Sequence, residues 1–177
     1  VLDMDASDNA IKSFPDNLPD YRSLEKLDVS FNQIDDISPI GNLCNLKTFF
    51  AIQNQINSVV FKINACLDSL FVLGLNDNLI SDFMIANSMK SIKIIELRGN
   101  SLTKLEESFS YLSLEKIDLG ENKFIAVPEP LMRLRNLKKI DLSYNSIEYL
   151  APEIFYLDSI QKIECQSDRK STRLNSS

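Results

Sequence analysis

Asparagine recurs in this chain at positions 9, 32, 54, 78, 100, 122 and 145, at intervals of 23, 22, 24, 22, 22 and 23 residues. A period in that range is the mark of a stacked solenoid, in which each unit is one small supersecondary element and neighbours supply each other's core. The surroundings repeat too. VLDMDASDNAI, LEKLDVSFNQI, LKTFFAIQNQI, LFVLGLNDNLI, IKIIELRGNSL, LEKIDLGENKF and LKKIDLSYNSI align on the asparagine. Each is apolar at its first, fourth, sixth and eleventh residues, and an eighth copy starts as IQKIECQS at Ile160. The alternation at residues four and six, as in Leu27 and Val29 or Ile140 and Leu142, is that of a strand with one buried face. One unit is too small to bury its own apolar row, so the units must stack.

The pattern L-x-x-L-x-L-x-x-N-x-L resembles the leucine-rich repeat family, and the resemblance covers residues 1–167. It implies an α/β right-handed solenoid, a horseshoe with a parallel sheet on its concave side and short helical or 3-10 turns on its convex side. It also implies a structural role for Asn9, Asn32, Asn54, Asn78, Asn100, Asn122 and Asn145. In the family this amide bonds to the backbone of its own turn and the adjacent one. That explains a polar residue between apolar ones, because an unpaired buried backbone group costs about 1–3 kcal/mol.

Apolar residues are also staggered along the arms between strands. Ile147, Leu150, Ile154, Leu157 and Ile160 share one face if their arm is a helical turn. Pro128 and Pro152 suit the first turn of such elements. The longest arm, INSVVFKINACLDSL, reads as an ordinary variant. Residues 168–177, DRKSTRLNSS, hold no repeat position, and their back-translation looks like a sequencing-library adapter. The expected organisation is seven repeats and a partial eighth over 1–167, uncapped at both ends, then a disordered read-through tail. The tail sets Asp168 against Arg169, Lys170 and Arg173, so removing its +2 takes the net charge from −6 to −8.

An acidic chain is poorly suited to nucleic acid or an anionic membrane surface, both of which need a basic face. The chain has no histidine, which removes the commonest general base and most zinc sites. No glycine motif for a phosphate, metal cluster or carboxylate dyad stands out, so neither enzyme activity, cofactor, metal nor small-molecule substrate is expected. Cys44, Cys66 and Cys165 have no C-x-x-C spacing. The reading they favour is small buried hydrophobes in a reducing compartment, the alternative being a bridge to a cysteine outside the chain.

Residues three, five and seven of each strand face outward and form columns. Toward the C-terminal end these carry Lys116 with Asp118, Lys139 with Asp141 and Lys162 with Glu164. In the middle, Phe50, Ile52, Val72 and Ile94 replace the charges, with Phe71 at the strand entrance. An apolar cluster within a polar rim is the layout of an interaction site, although Phe50 could instead fold over the gap at Gly74. Phe31 and Tyr144, before their asparagines, are further candidates. The expected function is a scaffold or adaptor that binds a protein partner through the concave face. The alternatives are a receptor ectodomain fragment, or the docking arm of a larger enzyme such as a kinase or ubiquitin ligase. The repeat body has no N-x-Ser/Thr sequon and its arms resemble intracellular repeat types, so the cytoplasm is the expected location.

Overall fold

The computed structural model describes residues 2–15, 18, 21–85 and 87–167. The tail read above as adapter sequence lies outside them. Ten strands follow in chain order: β1 (Leu2–Asp5), β2 (Leu24–Asp28), β3 (Thr48–Phe50), β4 (Ser58–Val59), β5 (Val72–Gly74), β6 (Asp82–Phe83), β7 (Ile94–Glu96), β8 (Lys116–Asp118), β9 (Lys139–Asp141) and β10 (Lys162–Glu164). Eight form one parallel sheet in the order β1-β2-β3-β5-β7-β8-β9-β10. Its register is that of the repeat, since Leu27 pairs with Phe49, Phe49 with Leu73, Leu73 with Ile95, and Ile95 with Ile117.

Apart from β1 and β2, which begin one or two residues earlier, the strands of this sheet span only residues three to five of their copy. Their inward positions are dry. Phe49, Leu73, Ile95, Ile117 and Ile140 are all 0% exposed, as are Ile34, Ile56 and Ile80 after the asparagine turns. Every such side chain is covered by its counterparts in the rungs on either side, and burial on this scale stabilises by roughly 1.5–3 kcal/mol per large aliphatic residue. At the first described rung Met4 is 38% exposed, whereas its equivalent Leu27, with a rung on either side, is 2% exposed.

Four described arms carry 3-10 turns: Ser38–Asn42, Glu107–Tyr111, Glu129–Arg133 and Pro152–Tyr156. Pro152 opens its turn, whereas Pro128 sits at the N-cap one residue before its own. Ile154 and Leu157 are buried and Ile147 and Ile160 half-buried, but Leu150 is exposed. The long arm is not an ordinary helical variant. It contains β4, which pairs in parallel with β6 of the next arm as a second, two-stranded sheet. Val59 and Phe83 point inward from these strands, and Phe83 packs on Phe109 with ring centroids 5.5 Å apart. A β-branched and aromatic arm such as SVVF favours extended backbone over a helical turn.

Candidate docking face

The turn after each strand is built the same way seven times. Residue eight of the copy is left-handed in every case: Asp8, Phe31, Gln53, Asp77, Gly99, Glu121 and Tyr144 have φ between 50° and 69°. Side-chain-bearing residues visit this region at some cost. Here it aims the residue's N–H along the stack, so that Phe31 donates to Ile52 O, Asp77 to Arg98 O and Glu121 to Ser143 O.

The asparagines that follow line up in file. From Asn32 to Asn145, each Oδ1 accepts the N–H of the eleventh residue of the preceding copy: Ile11, Ile34, Ile56, Ile80, Leu102 and Phe124 in turn, at 2.9–3.1 Å. Each Nδ2 donates back to the sixth-residue carbonyl of the preceding copy, as Asn78 does to Ala51 O at 2.8 Å and Asn100 to Leu75 O at 3.0 Å. Asn78 and Asn100 also bond within their own turns. Asn9, at the exposed first rung, donates only to Ala6 O and Ser7 O of its own turn.

The outward aspartates have a local task as well. Asp5, Asp28, Asp118 and Asp141 each accept through Oδ1 the N–H two residues on, of Ser7, Ser30, Gly120 and Ser143. Where Phe50, Glu96 or Glu164 stands instead, the seventh residue of the preceding rung takes over. Ser30 Oγ accepts from Ile52 N–H, Asn76 Oδ1 from Arg98 N–H, and Ser143 Oγ from Gln166 N–H. The recurring pairs Asp5-Ala-Ser7, Asp28-Val-Ser30, Asp118-Leu-Gly120 and Asp141-Leu-Ser143 are thus Asx-type turn signals, which reading the column as surface charge had missed.

The lysines do not pair along their own strands, except at the last rung. Lys116 reaches sideways to Glu96 (2.7 Å) and Lys139 to Glu164 (3.2 Å), while Lys162 meets Glu164 (2.5 Å). Neighbouring rungs stand about 4.8 Å apart. A carboxylate one rung over is therefore within reach, and the aspartate on the lysine's own strand is occupied by its turn. Burial, followed by the like charge of Asp141, pushes the Asp118 carboxyl above its usual range against the pull of Gly120 N–H, Arg98 and Lys116. Arg98 spans three rungs: it bonds Glu121 (2.5 Å), lies 3.7 Å from Asp141 and covers the Tyr144 ring at 5.4 Å. Burial works against its charge, but Glu121, Asp118 and Asp141 outweigh this and raise its pKa. Two glycines make room for long neighbours. A Cβ at Gly120 would stand 2.5 Å from Arg98 Nη1, and one at Gly74 would collide with the Phe50 ring.

Between these charged rungs the face is apolar. Val72 pairs with Thr48 on one side and Ile94 on the other, and Phe50 pairs with Gly74. Phe50, Ile52, Val72 and Ile94 are half-buried, and Phe71 is 46% exposed at the strand entrance. Phe50 contributes less open surface than its position suggests, because its ring lies over Gly74. Phe31 (50% exposed) and Tyr144 (41%) occupy left-handed turn positions at the rim, outside this cluster, and Tyr144 is taken up by Arg98.

Cys44 and Cys66 form a disulfide, with Cα atoms 4.8 Å apart. This corrects the expectation of buried, reduced cysteines: Cys44 is exposed and Cys66 half-buried. Their separation of 22 residues equals one repeat, which places them on adjacent arms; that spacing was the available signal. Cys165 is free and half-buried, and burial, then Asp141, pushes its thiol upward.

Two leucine-rich repeat family profiles match the chain, over residues 22–37 and 136–157. These matches fall on the same register as the amide file. The chain is a leucine-rich repeat protein. A leucine-rich repeat protein of Leptospira interrogans has the same fold, with a TM-score of 0.63 at 24% identity over 90% of this chain and 47% of that one. An adenylate cyclase of Podospora anserina is 28% identical over 145 residues, 82% of this chain and 7% of the cyclase. Human oligodendrocyte-myelin glycoprotein is 32% identical over 149 residues, 81% of this chain and 32% of that protein. This leucine-rich repeat chain therefore spans only a small part of such relatives, and the fold it shares with them is generally non-catalytic and serves protein interaction. Among the described residues no helix is long and apolar enough to cross a membrane.

Proposed function

We infer that this array is a protein-binding module of the scaffold or adaptor kind, docking its partner on the concave sheet face and carrying out no catalysis itself. The observation that supports this reading is the interruption of the charged columns by Ile52, Val72 and Ile94, with Phe50 and Phe71 beside them, on an otherwise polar outward face. Apolar side chains held half-open on a rigid sheet are anchors that cost little ordering entropy to use. Glu96, Lys116 and Arg98 on one flank and Asp28 on the other supply a polar rim. Affinity capture with the wild-type chain and with Phe50→Asp/Ile94→Asp tests it. The variant should lose the captured partner while keeping its circular dichroism spectrum, and equal capture by both proteins would remove the patch from consideration.

A second reading is favoured by one observation. The Cys44–Cys66 bridge suits an oxidising compartment, and with it a receptor ectodomain rather than a cytoplasmic scaffold. The docking face would be the same in both. Thiol labelling of the native protein in cells separates them, since the ectodomain reading requires both cysteines to be blocked.

A further inference from the structure

We propose that the Cys44–Cys66 bridge is a thiol-exchange site that locks the long arm and, through it, the β3–β5 pair of the docking face. Three features of its placement carry this. First, the bridge joins two adjacent arms that differ in kind, the 3-10 arm Ser38–Asn42 and the arm that contains β4. Between Val60 and Leu67 the second arm has no regular element, and Ile63 is 96% exposed. Besides the bridge, that stretch is held to its neighbours by Cys66 N–H to Gly41 O, Leu67 N–H to Ser88 Oγ, the packing of Ala65 and Phe61 on Gly41, and the burial of Leu67 in the core.

Second, both sulfurs lie directly upstream of strands that carry the apolar patch. Cys44 precedes Lys47, whose carbonyl accepts the N–H groups of both Phe71 and Val72. Cys66 leads through the fully buried Leu67 and Leu70 into Phe71. Freeing the arm therefore loosens the segment that sets Val72 beside Ile94 and Gly74 beneath Phe50.

Third, the two cysteine residues differ in exposure. Cys44 is exposed and Cys66 half-buried, so an incoming thiolate meets Cys44 first. A small dithiol is the co-reactant. Its thiolate attacks Cys44 Sγ, the Sγ–Sγ bond breaks, and the electron pair leaves on Cys66 Sγ, which takes up a proton. The dithiol's second sulfur then attacks its own first sulfur, expelling the Cys44 thiolate, which is protonated in turn. The protein gains two electrons and two protons, and the dithiol is oxidised to a cyclic disulfide.

Hydrogen exchange of the full chain, before and after treatment with dithiothreitol under native conditions, tests this. Reduction should speed exchange over residues 58–76 by up to about 300-fold, the scale expected when a loop of this length loses its cross-link, and leave β8 and β9 unchanged. Cys44→Ser/Cys66→Ser should reproduce the reduced pattern without reductant. A bridge that resists the dithiol until the chain unfolds, unchanged exchange over 58–76, or loss of protection throughout the sheet would each overturn the proposal. No partner is needed for this measurement, so it can fail while the docking face stands, and the reverse.

Discussion

The Phe50 ring lies in the space that a side chain on Gly74 would occupy, so one residue of β3 fills a gap in β5 on the outward face. Gly74→Ala should therefore force the ring aside and cost about 1–3 kcal/mol, the usual penalty of overpacking. In a Phe50→Ala background the same substitution should cost close to nothing. Urea midpoints for the four proteins of this cycle measure the coupling, and additive effects would show that the two residues do not share the space.

The amide file makes a graded prediction. Asn78 binds backbone groups of two rungs and is 6% exposed, whereas Asn9 is exposed and bonds only its own turn. Asn78→Ala should destabilise by about 1–3 kcal/mol, and Asn9→Ala by only a few tenths. Equal shifts in thermal or urea unfolding would contradict the rung-to-rung role of the amide.

Asp118 gives a pH dependence of known sign. Its carboxyl is raised in the folded state by burial and by Asp141, so the folded chain holds this proton more tightly than the unfolded one. Its contribution to stability is therefore greatest at low pH and is lost as pH rises through the folded pKa. Asp118→Asn keeps an oxygen for Gly120 N–H and removes the charge. It should raise the melting temperature at pH 7 and lose that advantage in acid, where the wild-type carboxyl is neutral. A variant less stable than wild type at pH 7 would mean that attraction to Arg98 and Lys116 outweighs burial.

Leu27, Leu73 and Ile140 could be placed in the core from sequence because repeat position and burial are linked by a single constraint, that every rung must cover the next. Residues whose role depends on the contents of the neighbouring rung were harder to read. Lys116 looked like the partner of Asp118, yet it reaches Glu96, because the aspartate is already engaged by its turn. The Cys44–Cys66 bridge was hidden by counting along the chain rather than in repeats. The β4–β6 ribbon needed the preference of Val59 and Phe83 for extended backbone to be weighed above the helical habit of other arms. In the candidate patch, Val72 and Ile94 are adjacent as their column position implies, whereas Phe31 and Tyr144 stand apart at the rim.

Photo-crosslinking tests the docking face most directly. A benzoylphenylalanine placed at Ile52, on the apolar stretch of the sheet, should capture the affinity-purified partner. The same group at Tyr111, on a 3-10 arm and 81% exposed, should not. Capture from position 111 with none from position 52 would contradict the account and move the interaction to the arms.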